Sequence, residues 1–407
     1  MKSFRQITAA LAFVAIACND PAGPPVQPIT ALPRALTAGE SKIIAASNDF
    51  AFDLFRTGNR SQHNSNVFIS PLSASMALGM TANGAAGATY DEMRAALRLS
   101  AVSREEVNDG YKSLITLLTG LDRTTTFEIA NSIWYRQNFP FHASFLDDSK
   151  SYFDARVEAL DFTNPSAVST INSWVSEQTN DRIPKILDEI RRDEVMFLIN
   201  AIYFKGTWQK QFDKARTHPA PFNAADGTTA EVSMMWREAG VDHVATSEYS
   251  AVDLPYGNTA FTMTVVMPNT DIDTFAESLD QAKWNALVSG LGSSSLEVYL
   301  PKFRIEWERL LSDDLKELGM SLAFTPDAAD FTRMSPFGRD LFITRVLQKT
   351  FVEVDEAGTE AAAATLVGVG VTSMPPSFRV DRPFLVVIRE RFSGTILFIG
   401  KIAKLPA

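Results

Sequence analysis

The chain has 407 residues, 45% of them hydrophobic, which is enough to bury a large core in one to three domains. A formal net charge of −10 excludes the broad basic surface that nucleic acids or anionic lipids would require. Its single cysteine excludes an intramolecular disulfide bond.

The first residues have the layout of an export signal. Lys2 and Arg5 precede a short apolar run, and small residues then lead to Cys18 in the sequence AIAC. This order is typical of a secretory signal peptide. A cysteine at this point resembles the lipobox of bacterial lipoproteins, although Ala15 stands where leucine is usual. We expect residues 1–17 to be removed and Cys18 to be lipidated; the alternative is an ordinary signal peptide with an incidental cysteine.

The next two regions differ in composition. Residues 18–39 hold five prolines, which predicts an extended tether. Residues 40–407 have no further low-complexity break and no apolar run long enough to span a membrane, so they are predicted to form one domain. The expected product is an exported protein, lipid-anchored at the cell envelope or extracellular.

Helical patterns dominate the first half of the chain. Ile43, Ala46, Phe50 and Leu54 recur at helical spacing and predict the first long helix. Further helix signals are Ser70 as an N-cap before Pro71, capping boxes at Thr89 to Glu92 and Ser103 to Glu106, a helix over 168–179, and a left-handed cap at Gly319.

Three apolar regions predict long strands. Glu194 to Gly206 is apolar on both alternating faces, which favours a central strand covered on both sides. A second strand is predicted over 341–356. Residues 382–402 predict two strands joined by a turn at Ser393-Gly394. The fold class is therefore α+β, with helices early and antiparallel sheets late.

An unusual segment, DEAGTEAAAATLVGVGVTSMPP, occupies residues 355–376. Its alanine run alone would favour a helix, but the glycines at 358, 368 and 370 oppose one. If the segment became a strand from Gly358 onward, every second side chain from Thr359 would be small or β-branched, with Glu360 on the other face. No proline precedes Pro375, so every amide in this segment could join a sheet.

Several stretches, in this order, resemble the serpin family: NVFISPLSASMALGMTANGAAGATYDEM, NAIYFKGTWQKQF, VDLPYGN, FVEVDEAGTEAAAAT and RPFLVVIRERFSGTILFIGKI. The resemblance extends over almost the whole chain after the tether. It implies three β-sheets, about nine helices and an exposed reactive-centre loop at about 356–380. In serpins this loop acts as a substrate for the target protease. The protease cleaves it, and the freed segment inserts into the main sheet as a new strand.

The resemblance therefore implies an inhibitor of serine endopeptidases that acts as a suicide substrate. The usual loop length of the family puts the scissile bond at Thr372–Ser373, and a shift of one residue would make it Val371–Thr372. Either residue before the bond is small and β-branched, which suits the restricted S1 pocket of elastase-like proteases; subtilisin-like proteases are a further candidate class.

Three groups of functional residues follow from the same resemblance. The hinge of the loop is Glu356, Gly358, Thr359, Glu360, Ala361, Ala362, Ala363, Ala364 and Thr365. A polar cluster called the shutter comprises Ser70, Asn200 and Gln348. Many serpins have a histidine at the position of Gln348. The breach, where the loop enters the sheet, comprises Trp208, Lys302 and Glu356, with an ion pair expected between the last two.

Two other functions remain open: a non-inhibitory serpin that acts as a binding, chaperone or storage module, and an inhibitor of cysteine proteases. An enzyme is not expected, because no motif supplies a nucleophile, a base and an orienting group. The expected partner is a target serine protease, which forms a covalent complex with this protein. The protein itself is expected to be a monomer. No nucleic acid and no cofactor are expected. No metal site is expected either, since the four histidines lack the spacing of metal ligands.

Overall fold

The structure is a computed structural model and describes residues 27–358 and 376–406. This part of the chain holds nine α-helices and fourteen strands. The helices are α1 (Ala38–Ser61), α2 (Pro71–Asn83), α3 (Gly87–Ala96), α4 (Arg104–Thr119), α5 (Ala143–Phe153), α6 (Ser166–Gln178), α7 (Ile272–Ser278), α8 (Gln281–Gly290) and α9 (Ser312–Glu317).

The strands form three sheets. They are β1 (Val67–Ile69), β2 (Thr125–Arg136), β3 (Arg156–Leu160), β4 (Met196–Gly206), β5 (His218–Asn223), β6 (Thr229–Ala245), β7 (Tyr249–Pro255), β8 (Phe261–Pro268), β9 (Gly292–Pro301), β10 (Phe303–Leu310), β11 (Leu347–Val354), β12 (Ser377–Arg379), β13 (Phe384–Glu390) and β14 (Ile396–Ile402). The largest sheet has the order β1-β14-β13-β8-β7-β6-β9-β12, with β5 also paired to β6. The others are β3-β2-β4 and β10-β11.

The predicted α+β class, with nine helices and three sheets, is confirmed within the described ranges. The core lies between the largest sheet and the early helices, because β8, β13 and β14 are buried along their whole length. Helices α1 and α2 contact β14 directly. None of the helices described is long and apolar enough to cross a membrane.

Most local signals lead to the predicted elements. Ser103 and Glu106 form the expected capping box at the start of α4. Gly319 follows α9 in a left-handed conformation, with φ of 97°. The turn between β13 and β14 contains Gly394 at φ 75°. Ser70 is the N-cap of α2, but its hydroxyl donates to Leu397 O (2.9 Å) and does not cap the helix.

Two boundaries differ from the prediction. The capping box at Thr89 to Glu92 is wrong, because the helix already begins at Gly87 and the Thr89 hydroxyl accepts a hydrogen bond from Asp330 N (2.9 Å). The strand predicted over 341–356 is shorter, since regular pairing begins at Leu347 and ends at Val354. Residues 341–346 instead make isolated hydrogen bonds, among them Ile343 N to Ala323 O (2.8 Å) in a 3-10 helix.

Candidate functional site: a cleft between two sheets

A cleft separates the two smaller sheets. Strand β4 pairs with β2, and β11 pairs with β10, so that β4 and β11 belong to different sheets. A cavity of about 200 Å³ lies between them, lined by residues 193–202 on one side and 340–350 on the other. The predicted central strand is thus present in β4, but in the described structure it is the last strand of its sheet.

The upper end of the cleft, formed by residues 207–212, Lys302 and 355–358, is joined by backbone hydrogen bonds. Trp208 N donates to Ala357 O and Phe212 N to Glu356 O, each at 2.8 Å. The indole Nε1 of Trp208 also donates to Asp355 O (2.9 Å). The chain that leads to the predicted loop is therefore fixed to the wall built on β4.

Gly358 ends this junction in a conformation that needs glycine. Its φ is 149°, and it forms an antiparallel bridge with Thr207. A Cβ atom at this position would lie 2.1 Å from Gly206 O, which no side chain tolerates. The carboxylate of Asp355 accepts hydrogen bonds from the backbone N–H groups of Ala357 and Gly358 and fixes the turn.

The expected ion pair of the breach is present. Lys302 Nζ lies 2.8 Å from a carboxylate oxygen of Glu356, whose side chain is only 6% exposed. Thr217 Oγ1 donates to the same carboxylate (2.8 Å). Burial alone would raise the pKa of Glu356, but the hydrogen bonds from Lys302 and Thr217 outweigh it and lower the pKa below its usual value.

The three shutter residues all line the cavity, but on opposite walls. Gln348 makes two hydrogen bonds with the backbone of Ser70: its Nε2 donates to Ser70 O (2.7 Å), and its Oε1 accepts from Ser70 N (3.2 Å). Asn200 on β4 instead donates to Asn131 Oδ1 on β2 (2.6 Å). Its own Oδ1 is buried without a hydrogen-bond partner. Gln348 thus acts as both donor and acceptor toward the backbone of a single residue, Ser70.

An ion pair at the lower end of the cleft, formed by residues 193–195 and 343–346, was not expected from the sequence. Arg345 Nε lies 2.8 Å from Glu194 Oε1, across the cleft, and the carboxylate side chain is 1% exposed. The only sequence signal was a carboxylate directly before the apolar run of β4. Its partner is far away in the chain, so no local pattern identifies it.

The remaining predicted residues lie outside the described ranges. These are Cys18, the hinge residues from Thr359 to Thr365, and both alternatives for the scissile bond, Val371–Thr372 and Thr372–Ser373. The structure leaves these assignments as predictions. It does place the residues on either side, Gly358 at the upper end of the cleft and β12, which follows Pro376, beside β9.

Comparison with known proteins identifies the class. The family model described as serpin (serine protease inhibitor) matches residues 45–405, and the chain therefore belongs to the serpin family. It is 34% identical to the leukocyte elastase inhibitor of Sus scrofa over 379 residues, covering 89% of this chain and 99% of that protein. It is 31% identical to an uncharacterized serpin-like protein of Methanosarcina acetivorans, covering 89% and 86%.

A solved structure shows the same fold. The thermophilic serpin tengpin in its native state matches with a TM-score of 0.82 and 32% identity, over 94% of this chain and 97% of that one. The resemblance seen in the sequence is thus confirmed at the level of family and fold.

Proposed function

We propose that the protein inhibits serine proteases as a suicide substrate, by inserting its cleaved loop into the cleft between β4 and β11. One observation carries this proposal. Two strands of separate sheets face each other across a cleft, and the segment that would fill it begins at Gly358, at the upper end. A strand entering there would have a pairing edge on each side.

The energy of insertion favours a permanent product. Strand β4 offers 11 residues along the cleft. About ten new backbone hydrogen bonds at roughly 0.5–1.5 kcal/mol each give on the order of 10 kcal/mol. This equals the whole stability of an ordinary domain, so an inserted loop would not leave the sheet again.

The chemistry belongs to the protease. Its serine hydroxyl attacks the carbonyl carbon of Thr372, an ester forms, and the C–N bond to Ser373 breaks as the new amine takes up the proton. Insertion then competes with the water that would hydrolyse the ester. The inhibitor supplies no nucleophile and is consumed in one encounter, so it is not an enzyme.

Target class and location are part of the proposal. Thr372 is small and β-branched, and the relatives named leukocyte elastase inhibitor support an elastase-like target. The signal sequence supports export, with a lipid on Cys18 as the anchor. Metabolic labelling with a radioactive fatty acid tests the anchor: Cys18→Ala should lose the label, and unchanged labelling would refute it.

The test of inhibition is a denaturing gel after mixing the protein with elastase-like, subtilisin-like and papain-like proteases. We expect a covalent complex that survives boiling in detergent with one of the serine proteases, and a released C-terminal peptide that begins at Ser373. Complexes with the papain-like protease alone would favour the cysteine-protease alternative. Cleaved protein and fully active protease in every mixture would favour a non-inhibitory serpin.

Two hinge variants test the insertion step. Thr359→Arg places a charge on the strand face that is otherwise small and uncharged, and burying an unpaired charge costs several kcal/mol. Each 1.36 kcal/mol on the barrier slows insertion about tenfold, so hydrolysis should win and the variant should become a substrate. Glu360→Arg changes the opposite face and should still trap protease. Equal trapping by both variants would contradict insertion in this register.

A further inference from the structure

The two walls of the cleft are built separately at the lower end. On the β11 side, Leu311 N donates to Val346 O (2.7 Å). On the β4 side, Arg136 donates from its backbone N to Val195 O (2.8 Å) and from its guanidinium to Glu194 O (2.6 Å). These hydrogen bonds each stay within one wall, in contrast to those of the upper end. Apart from one hydrogen bond of 3.3 Å from Thr344 to Glu194, what joins the walls here is a single side chain.

Arg345 is that side chain. Its backbone lies on the β11 side, and its guanidinium reaches three oxygen atoms on the β4 side. Nε lies 2.8 Å from Glu194 Oε1, and Nη2 donates to Glu194 Oε2 (3.1 Å) and to Glu189 O (2.8 Å). The guanidinium carbon also lies 5.8 Å from the centre of the Phe197 ring. One residue therefore makes ionic, hydrogen-bonding and cation–π contacts across the cleft.

The pair is shielded from water. The side chains of Arg345 and Glu194 are only 15% and 1% exposed. The carboxylate also accepts hydrogen bonds from Arg191 N (2.7 Å) and Thr344 Oγ1 (3.3 Å). A buried carboxylate that loses its cation raises the free energy of the protein. Separating the two walls at this point therefore has a high energy barrier.

The observed bridge sets the register in which a strand would arrive. Gly358 is the antiparallel partner of Thr207 on the wall of β4. If pairing continues from this bridge without a bulge, each further residue of the loop lies opposite one residue earlier in β4, which places Val371 opposite Glu194. Insertion would therefore reach the lower end only at its last step. A new strand also widens a sheet by about 4.8 Å, and contacts of 2.8 Å cannot survive that separation.

We propose that Arg345 is a positioning residue that latches the lower end of the cleft and limits the last step of strand insertion. The proposal rests on the proposed function, since it concerns the opening of the same cleft. It assigns Arg345 no contact with a protease. Loss of the latch should speed completion of insertion and leave its start unchanged.

Two synthetic peptides separate these steps without any protease. The long peptide has the sequence of residues 359–371, and the short one has residues 359–366, which would end opposite Ile199. Annealing is measured as the rise in thermal unfolding midpoint against time. We expect Arg345→Met to accelerate annealing of the long peptide about tenfold, which corresponds to about 1.4 kcal/mol on the barrier, and to leave the short peptide unchanged.

Three further variants sharpen the test. Arg309→Met is the matched control, because Arg309 pairs with the buried carboxylate of Asp314 (2.7 Å) within one wall; neither peptide should change its rate. Arg345→Lys keeps the charge but not the guanidinium fork and should anneal the long peptide at an intermediate rate. If Arg345→Met does not fold, the double variant Glu194→Gln, Arg345→Met avoids a buried unpaired carboxylate and should show the same acceleration.

The outcomes distinguish the latch from the function on which it rests. Equal acceleration of both peptides would show general loosening and overturn the latch, as would no acceleration of the long peptide. In either case covalent trapping of a protease by the parent would leave the proposed function standing. If neither peptide anneals to any variant and no protease is trapped, both the latch and the insertion mechanism are wrong.

Discussion

The two ends of the cleft are closed by different kinds of contact. At the upper end, backbone hydrogen bonds such as Trp208 N to Ala357 O join the walls, and the lysine of the Lys302–Glu356 pair is 40% exposed. At the lower end the buried pair of Arg345 and Glu194 crosses the cleft. Backbone hydrogen bonds can be exchanged one at a time for those of an entering strand, whereas a buried ion pair opens in one step. Under the proposed mechanism, the upper end is thus suited to the entry of a strand, and the lower end to controlling when insertion is completed.

The largest effect is expected from Gly358→Ala at the upper end. A Cβ atom there would lie 2.1 Å from Gly206 O, so the backbone junction has to move. We expect a loss of about 3 kcal/mol in the free energy of unfolding measured in urea. Gly292→Ala is the control, because a Cβ atom there meets nothing within 4 Å. Similar losses in both variants would mean that the junction at Gly358 is not tightly packed.

A smaller effect is expected from Lys302→Met. It removes the cation beside Glu356 but leaves the hydrogen bond from Thr217. Because the lysine is partly solvated, we expect the free energy of unfolding to fall by only about 1 kcal/mol. Because the proposed strand entry begins at this end, both the long and the short peptide should anneal faster. Lys283→Met, which removes a pair with Glu248 away from the cleft, should change neither rate. Acceleration of the long peptide alone would contradict the division between entry and completion.

The smallest effect is a pH dependence at the upper end. The pKa of Glu356 is lowered in the folded protein, so the ionised carboxylate stabilises the native form above the ordinary value of 4.5, and this contribution is lost as the pH falls through the lowered pKa. Annealing of the short peptide should therefore accelerate below pH 4.5 in the parent. Glu356→Gln should remove most of this acceleration, measured between about pH 3.5 and 5.5, a unit on either side of the ordinary pKa. An identical profile in that variant would assign the effect to other carboxylates.

The upper end was largely predictable and the lower end was not. Gly358 and Glu356 lie in one short segment whose composition already sets it apart, and Lys302 entered through the family resemblance. Glu194 and Arg345 each border an apolar strand, where a charge usually marks the solvated end. They meet only because the walls of two sheets face each other, which depends on the whole fold.

The errors at element boundaries have the same origin. Thr89 has the right neighbours for a capping box, but Gly87 with φ of 52° lets the chain turn earlier, and a distant backbone N–H of Asp330 uses the hydroxyl. Residues 341–346 have a strand-like sequence, yet β10 ends at Leu310 and gives them no partner for regular pairing in the described structure. Local pattern fixes the type of an element, while tertiary contacts decide where it starts.

Hydrogen exchange before and after cleavage of the loop tests the central claim most directly. In the intact protein, the β4 amides that face the cleft within residues 196–202 should exchange rapidly, since they do not bond to β2. Cleavage at Thr372–Ser373 should protect about half of the amides in this stretch and also those of β11 that face the cleft. Unchanged exchange in both strands after complete cleavage would show that no strand enters between them, and the mechanism proposed for this protein would be wrong.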